Sequence, residues 1–267
     1  MSKAVFFDID GTLINIHNGQ THISDTVRTA IRDLRAAGHH AFIASGRPWA
    51  YLDPELTDSG LFDGFIVMNG ATVLLNGRVI FQKPLPMATV KQIIAIAEAH
   101  QIEYILESYP KVYLKREYKG LEQVYRAIDI DINRFVREYD LDTLSVSKME
   151  FLCDTPGADG VFKKLLAWPG LTGLIDPTLL KYMELYSADI SKGTGILEAL
   201  RYMNIPVTDS YAFGDGLNDI EMMETAGHSL VMGNAGPELK ARAEHVLSTV
   251  DEDGVADGIN RYILKRI

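Results

Sequence analysis

Ala4-Val5-Phe6-Phe7-Asp8-Ile9-Asp10-Gly11-Thr12-Leu13 is the stretch on which the reading of this chain turns. Its first four residues are apolar without alternation and β-prone, the pattern of a strand buried on both faces of a parallel sheet. Asp8-Ile9-Asp10-Gly11 ends the strand. Asp8 and Asp10, spaced i and i+2, can share one side of an extended strand end, and two such acids repel each other. Either a divalent cation binds between them, or one keeps a proton and becomes a general acid. Taken alone, Asp-x-Asp is also how an ordinary solvated strand end looks. Ligands of open parallel sheets, however, bind at the carboxyl ends of the strands.

Outward from this strand the rhythm is βα. Ser24 is an N-cap for a helix whose Val27, Ala30, Ile31, Leu34 and Ala37 follow helical spacing until Gly38. Ala41-Phe42-Ile43-Ala44 is a second buried strand, ending in Ser45-Gly46-Arg47-Pro48, so strand, helix and strand form a right-handed crossover unit. A third strand is expected at Phe65-Ile66-Val67-Met68. Thr72–Leu75 pairs with Arg78–Phe81 across Asn76-Gly77, a two-residue hairpin signal. Pro84 and Pro86 mark a change of texture, after which the order becomes helix, hairpin, helix, strand, helix, strand. The later strands are expected at Phe151-Leu152-Cys153 and Met183-Glu184-Leu185. After Ser191-Lys192-Gly193 the βα rhythm returns, with a helix over Ile196–Met203, a strand at Tyr211-Ala212-Phe213, a helix from about Asp219 and a strand near Leu230-Val231-Met232. These observations predict an α/β protein: a Rossmann-like parallel-sheet core formed by 1–83 and 185–267, interrupted by an α+β domain at 84–184.

Composition narrows the function. The chain has 267 residues, 47% hydrophobic and 23% charged, within the ordinary globular range. Its 26 basic and 36 acidic side chains give a net charge of −10, a field that repels nucleic acid and anionic lipid. Neither is expected as a partner. The apolar run at Ala4–Phe7 meets Asp8 before a signal-peptide core could form, and no uncharged stretch is long enough to span a bilayer, so the expected address is the cytoplasm. The single cysteine, Cys153, forms no intrachain disulfide. Nothing in the sequence sets an oligomeric state.

A second acidic loop, Gly214-Asp215-Gly216-Leu217-Asn218-Asp219, follows another buried strand and so falls at the same sheet edge as Asp8. A hard cation such as Mg²⁺ prefers oxygen ligands and few protein carboxylates, a demand met by Asp8, Asp10 and Asp215. Ser45 offers a hydroxyl at a strand end, and Lys192 a compact charge at a helix start. Each signal is weak alone, but they occur in order, each where a core element should end.

That ordered set resembles the haloacid dehalogenase superfamily of phosphohydrolases, and the insertion resembles its Cof-type branch with a large α/β cap. Ser45-Gly46-Arg47, Asn69-Gly70-Ala71, Ser191-Lys192-Gly193 and Gly214–Asp219 carry the resemblance, which covers essentially the whole chain. It implies a Mg²⁺-dependent phosphatase acting on a small phosphorylated molecule: a sugar phosphate, nucleotide or phosphorylated cofactor. Asp8 would be the nucleophile that becomes an aspartyl-phosphate, and Asp10 the acid that protonates the leaving alcohol and then activates water. Ser45, Gly46, Lys192 and Asn218 would hold the phosphoryl group. Asp8, Asp10 and Asp215 would hold the metal, with Asp219, Thr12 and Arg47 in support.

Other signals fade on inspection. Gly193-Thr194-Gly195 is followed by Glu198, not glycine, so the dinucleotide fingerprint fails. His17, His22, His39, His40, His100, His228 and His245 lack partners at zinc-ligand spacing. Tyr104, Tyr109, Tyr113, Tyr118 and Tyr125 cluster with Lys111, Lys115, Arg116, Lys119 and Arg126, as either substrate-facing groups or core with a solvated rim. A phosphomutase of the same superfamily is an alternative. So is a phospho-accepting receiver module, against which the inserted domain and second acidic loop argue.

Overall fold

The computed structural model describes residues 2–15, 18–128, 130–153, 157–176 and 181–266. His17 lies outside the described residues. The chain begins with β1 (Ala4–Phe7), α1 (Asp25–Ala36), β2 (His40–Ala44), the short α2 (Pro54–Thr57), β3 (Gly64–Val67), β4 (Thr72–Leu75) and β5 (Arg78–Gln82). It continues through α3 (Met87–Ala99), β6 (Glu103–Glu107), β7 (Val112–Leu114), α4 (Lys119–Ala127), β8 (Lys148–Leu152), α5 (Ala158–Leu166), β9 (Leu171–Ile175) and β10 (Tyr182–Ser187). It closes with α6 (Lys192–Met203), β11 (Ser210–Gly214), α7 (Ile220–Thr225), β12 (His228–Val231), α8 (Pro237–Lys240), β13 (His245–Val246) and α9 (Gly254–Gly258).

Two units result. The first comprises 1–46, 53–81 and 191–267. Its sheet is ordered β13-β12-β11-β1-β2-β3-β4-β5. From β13 through β3 the neighbouring strands pair in parallel, and β4 pairs antiparallel with β3. β1 is central, as its sequence requires: all four of its residues have no exposed surface. Phe6 packs against Phe42 and Phe7 against Phe213, with ring centroids 5.1 and 4.9 Å apart. On one face Ile196, Ala199 and Leu200 of α6 join Ala4, Phe6, Phe42 and Ile66 in a continuous apolar cluster. α1 buries Val27, Ala30, Ile31 and Leu34, and Ser24 caps it as expected by accepting from the Val27 amide at 3.1 Å.

The second unit comprises 47–52 and 82–190. Its antiparallel sheet is ordered β7-β6-β8-β10-β9. α3 and α5 pack on one face with Leu106, Met149, Phe151 and Met183. The other face carries Ile105, Leu114, Leu121 and Tyr125, together with Ala50 and Tyr51. The unit reaches beyond the anticipated 84–184 because β10 runs on to Ser187 and Lys83 pairs with Asp189 at 2.8 Å. β9 had no sequence expectation: Leu-Thr-Gly-Leu-Ile contains a glycine, and its Leu174 is exposed on an edge strand. The tyrosine cluster divides as core and rim. Tyr104 and Tyr125 are buried, while Arg116 pairs with Glu138 and Lys119 with Glu122 at the surface. Among the described residues, no helix is long and apolar enough to cross a membrane.

One contact in the first unit fixes where α6 begins. Gly70, at φ +101°, lies so close to the first turn of α6 that a Cβ there would sit 2.0 Å from the Ser191 carbonyl oxygen. Both the backbone conformation and the clash are with fixed atoms, so neither relaxes by a rotamer change. Gly70→Ala is expected to cost roughly 2–4 kcal/mol of stability, seen as a lower urea midpoint with an unchanged m value.

Candidate active site

The parallel register brings the chemistry-bearing residues to one edge. Phe7 pairs with Ile43 and with Phe213, so Asp8, Ser45 and Asp215 follow directly from the ends of adjacent strands β1, β2 and β11. The Asp8 amide donates to the Phe213 carbonyl at 2.9 Å, which carries the ladder up to the acid itself. Lys192 is the first residue of α6. Its preceding turn is set by a reciprocal cap: the Ser191 side chain accepts from the Thr194 amide, and the Thr194 hydroxyl accepts from the Ser191 amide.

Lys192 Nζ lies 2.5 Å from Asp8 Oδ1 and 2.6 Å from Asp219 Oδ1. Lysine, Asp8 and Asp219 are all buried, at 1%, 6% and 0% exposure. The other Asp219 oxygen accepts from the amides of Asp215 and Gly216, both at 3.0 Å, so Asp219 ties the second acidic loop to the lysine. Asp215 accepts from the Thr12 hydroxyl at 3.3 Å. Gly11, at φ +81°, lets the Asp215 carboxylate pack directly against the turn, since a Cβ there would lie 2.1 Å from Asp215 Oδ2. Ser45 is buried at 2%, and its amide donates to the Ile66 carbonyl at 2.8 Å.

Three acids, Asp8, Asp215 and Asp219, each offer an oxygen within 4.8 Å of the others'. Asp10 was expected among the metal ligands, yet its carboxylate is not in this group; Asp219 stands there instead. In the turn after β1, Gly11 donates to the Ile14 carbonyl at 2.7 Å and Asp10 bridges to Ile14, and the Asp10 charge still bears on both Asp8 and Asp215. Asn218 is exposed beside Asp219. Arg47, expected in support, belongs to the second unit. Sequence reading passed over Asn234, whose side chain meets both Gly11 and Asp215; its only signal is its place just past the end of β12, at the same sheet edge.

The electrostatics follow from counting charges: one buried ammonium serves three carboxylates. Burial, then Asp219, pushes Asp8 up to about 7 against the pull of Lys192. Burial, then Asp219, pushes Asp215 up to about 6. Burial opposes the charge on Lys192, but Asp219 and Asp8 outweigh it and hold the ammonium protonated well above its ordinary range. A divalent cation fits the surplus negative charge and the all-oxygen donor set of Asp8, Asp215 and Asp219.

Acids at the ends of β1 and β11, a lysine at the start of α6 and an inserted α+β unit define a capped α/β hydrolase. The chain belongs to the haloacid dehalogenase-like hydrolase family, whose pattern matches residues 5–259. It is 33% identical over 264 residues to "Putative phosphatase YkrA" of Bacillus subtilis, covering 96% of this chain and 95% of that one. It is 26% identical over 273 residues to the 5-amino-6-(5-phospho-D-ribitylamino)uracil phosphatase YitU of the same organism, covering 97% and 96%. Among solved structures it resembles the subclass IIB sugar phosphatase BT4131, with a TM-score of 0.80, 29% identity and coverage of 98% and 99%. The protein is thus an enzyme of the Cof-type, subclass IIB phosphatases.

The raised acids have a measurable consequence in protein stripped of divalent ions. Between about pH 4 and pH 6, folded Asp215 keeps a proton that the unfolded chain has lost, so its contribution to stability falls as pH rises through that window. Asp215→Asn removes this penalty. In chelator, its thermal midpoint is expected to exceed the wild type's by a few degrees at about pH 7.5, and the gap is expected to close at about pH 4.

Proposed function

We propose that this enzyme hydrolyses small phosphomonoesters in a Mg²⁺-dependent reaction through a phosphorylated Asp8. The observation that carries the reading is the buried Lys192 ammonium held at 2.5 and 2.6 Å between Asp8 and Asp219, with Asp215 beside them. Phosphoryl transfer asks chiefly for in-line positioning and compensation of charge on the equatorial oxygens, and Lys192 supplies part of that positive charge. Asp8 attacks phosphorus as the ester P–O bond breaks, and Asp10 gives its proton to the departing alcohol. Asp10 then takes a proton from the water that attacks the phospho-Asp8, releasing inorganic phosphate and restoring both acids. Lys192, the Ser45 hydroxyl, the Gly46 turn and Asn218 hold the phosphoryl oxygens, while Asp219 fixes Lys192. Mg²⁺ held by Asp8 and Asp215 would supply the remaining positive charge and keep Asp8 ionised near neutrality.

The substrate class is a phosphorylated sugar or polyol. BT4131 is described as a sugar phosphatase, and the name of YitU specifies a phosphate on a ribityl chain; both support this class ahead of nucleotides and phosphorylated cofactors. Phosphate release should be measured across a panel of sugar phosphates, polyol phosphates and nucleotides with Mg²⁺ and with chelator. Release without a bisphosphate primer is expected, chelation should abolish it, and Mg²⁺ should restore it. Asp8→Asn is expected to fold, by circular dichroism, and to lose about four orders of magnitude or more in kcat. Near-normal turnover by that variant would overturn the assignment.

A further inference from the structure

Asn234 follows β12 and takes no part in the reaction as derived above. Its side chain nevertheless joins three segments. Nδ2 donates to the Gly11 carbonyl at 2.8 Å and lies 3.3 Å from Asp215 Oδ2, while Oδ1 accepts from the Val250 amide at 2.9 Å. The amide orientation is chemically fixed: the Val250 N–H can only donate, so Oδ1 must face it and the NH₂ must face the two acceptors. Asp215 Oδ1 already accepts from Thr12. Asn234 therefore supplies the bond on the second oxygen, and Thr12 and Asn234 together set the rotation of the carboxylate.

We infer that Asn234 is a positioning residue that holds Asp215 and the Gly11 turn in register for a divalent cation. The inference rests on the cation reading of Proposed function. Ligating carboxylates are oriented by such outer partners, and their loss commonly weakens metal binding by 10–100-fold. Asn234 is anchored in turn. Val250 leads a short turn whose Asp251 accepts from Asn15 and Asn18 at 2.9 and 2.7 Å, so the turn also grips the loop that follows Asp10.

The test is calorimetric titration of MgCl₂ into chelator-treated full-length protein: wild type, Asn234→Ala, Asn234→Ser and Asn18→Ala. Both Asn234 variants are expected to bind Mg²⁺ on the order of 10–100-fold more weakly. Their KM for a phosphomonoester at saturating Mg²⁺ should stay near the wild-type value. Asn18→Ala, which touches the same turn but not Asp215, should bind Mg²⁺ as the wild type does. A merely structural role for Asn234 would lower the thermal midpoint in chelator and leave the Mg²⁺ affinity alone; that result overturns the inference. Should the alanine variant fail to fold, the serine variant decides the same comparison. If wild-type protein itself binds no Mg²⁺, the cation reading fails and this inference with it, an outcome distinct from equal binding by wild type and variants.

Discussion

A lysine ammonium buried between two carboxylates is the constraint from which the first unit's architecture follows. Taking Lys192, Asp8 and Asp219 out of water is costly, and only close pairing offsets it. Three separate segments must arrive together for that pairing: the end of β1, the start of α6 and the loop after β11. The parallel register delivers Asp8 and the β11 loop side by side, and the tight approach of Gly70 to Ser191 sets the first turn of α6. Removing Lys192 would leave both carboxylates unpaired in the interior, whereas removing either acid would leave the lysine paired with the other.

The second unit meets the same arithmetic and resolves it differently. Lys148 lies 2.9 Å from Glu150, 3.0 Å from Glu184 and 3.6 Å from Glu107, again one lysine against three acids. Here burial, then Glu150, holds Glu107 well above the usual carboxylate range, so it keeps its proton. Lys148 overcomes the burial penalty on Glu150 and keeps that acid ionised, and Tyr125 donates to it. In the second unit the excess charge is met by a retained proton. In the first, Asp8, Asp215 and Asp219 offer oxygens within 4.8 Å of one another, and an ion can do the same work.

Much of this was legible because the core obeys local rules. β1 is an unbroken apolar run, α1 has an N-cap and a regular stripe, and Asn76-Gly77 marks its hairpin, so the succession of elements along the chain up to β5 could be read from pattern alone. Asp8, Asp215 and Lys192 were legible because each ends or begins such an element. What escaped depended on geometry without local pattern. Asp10 looks equivalent to Asp8 in sequence, yet the acids that offer oxygens within 4.8 Å of one another are Asp8, Asp215 and Asp219. Asn234 carries no chemical signature until Gly11, Asp215 and Val250 converge on it. β9 hid behind a glycine, and the membership of 47–52 in the second unit rests on Tyr51 packing its ring 5.3 Å from Tyr125 and 5.6 Å from Phe135.

That last packing bears on how the two units could be recombined. The chain passes between them four times, at 46/47, 52/53, 81/82 and 190/191, instead of entering and leaving an insertion once. Residues 82–190 are consequently not a self-sufficient cassette. A chimera that grafts a relative's 82–190 onto this core would bring foreign partners to the native Tyr51, and a chimera that also exchanges 47–52 would alter the chain immediately after Gly46. Exchange of the second unit by transplantation is thereby tied, residue for residue, to the loop that begins with Ser45.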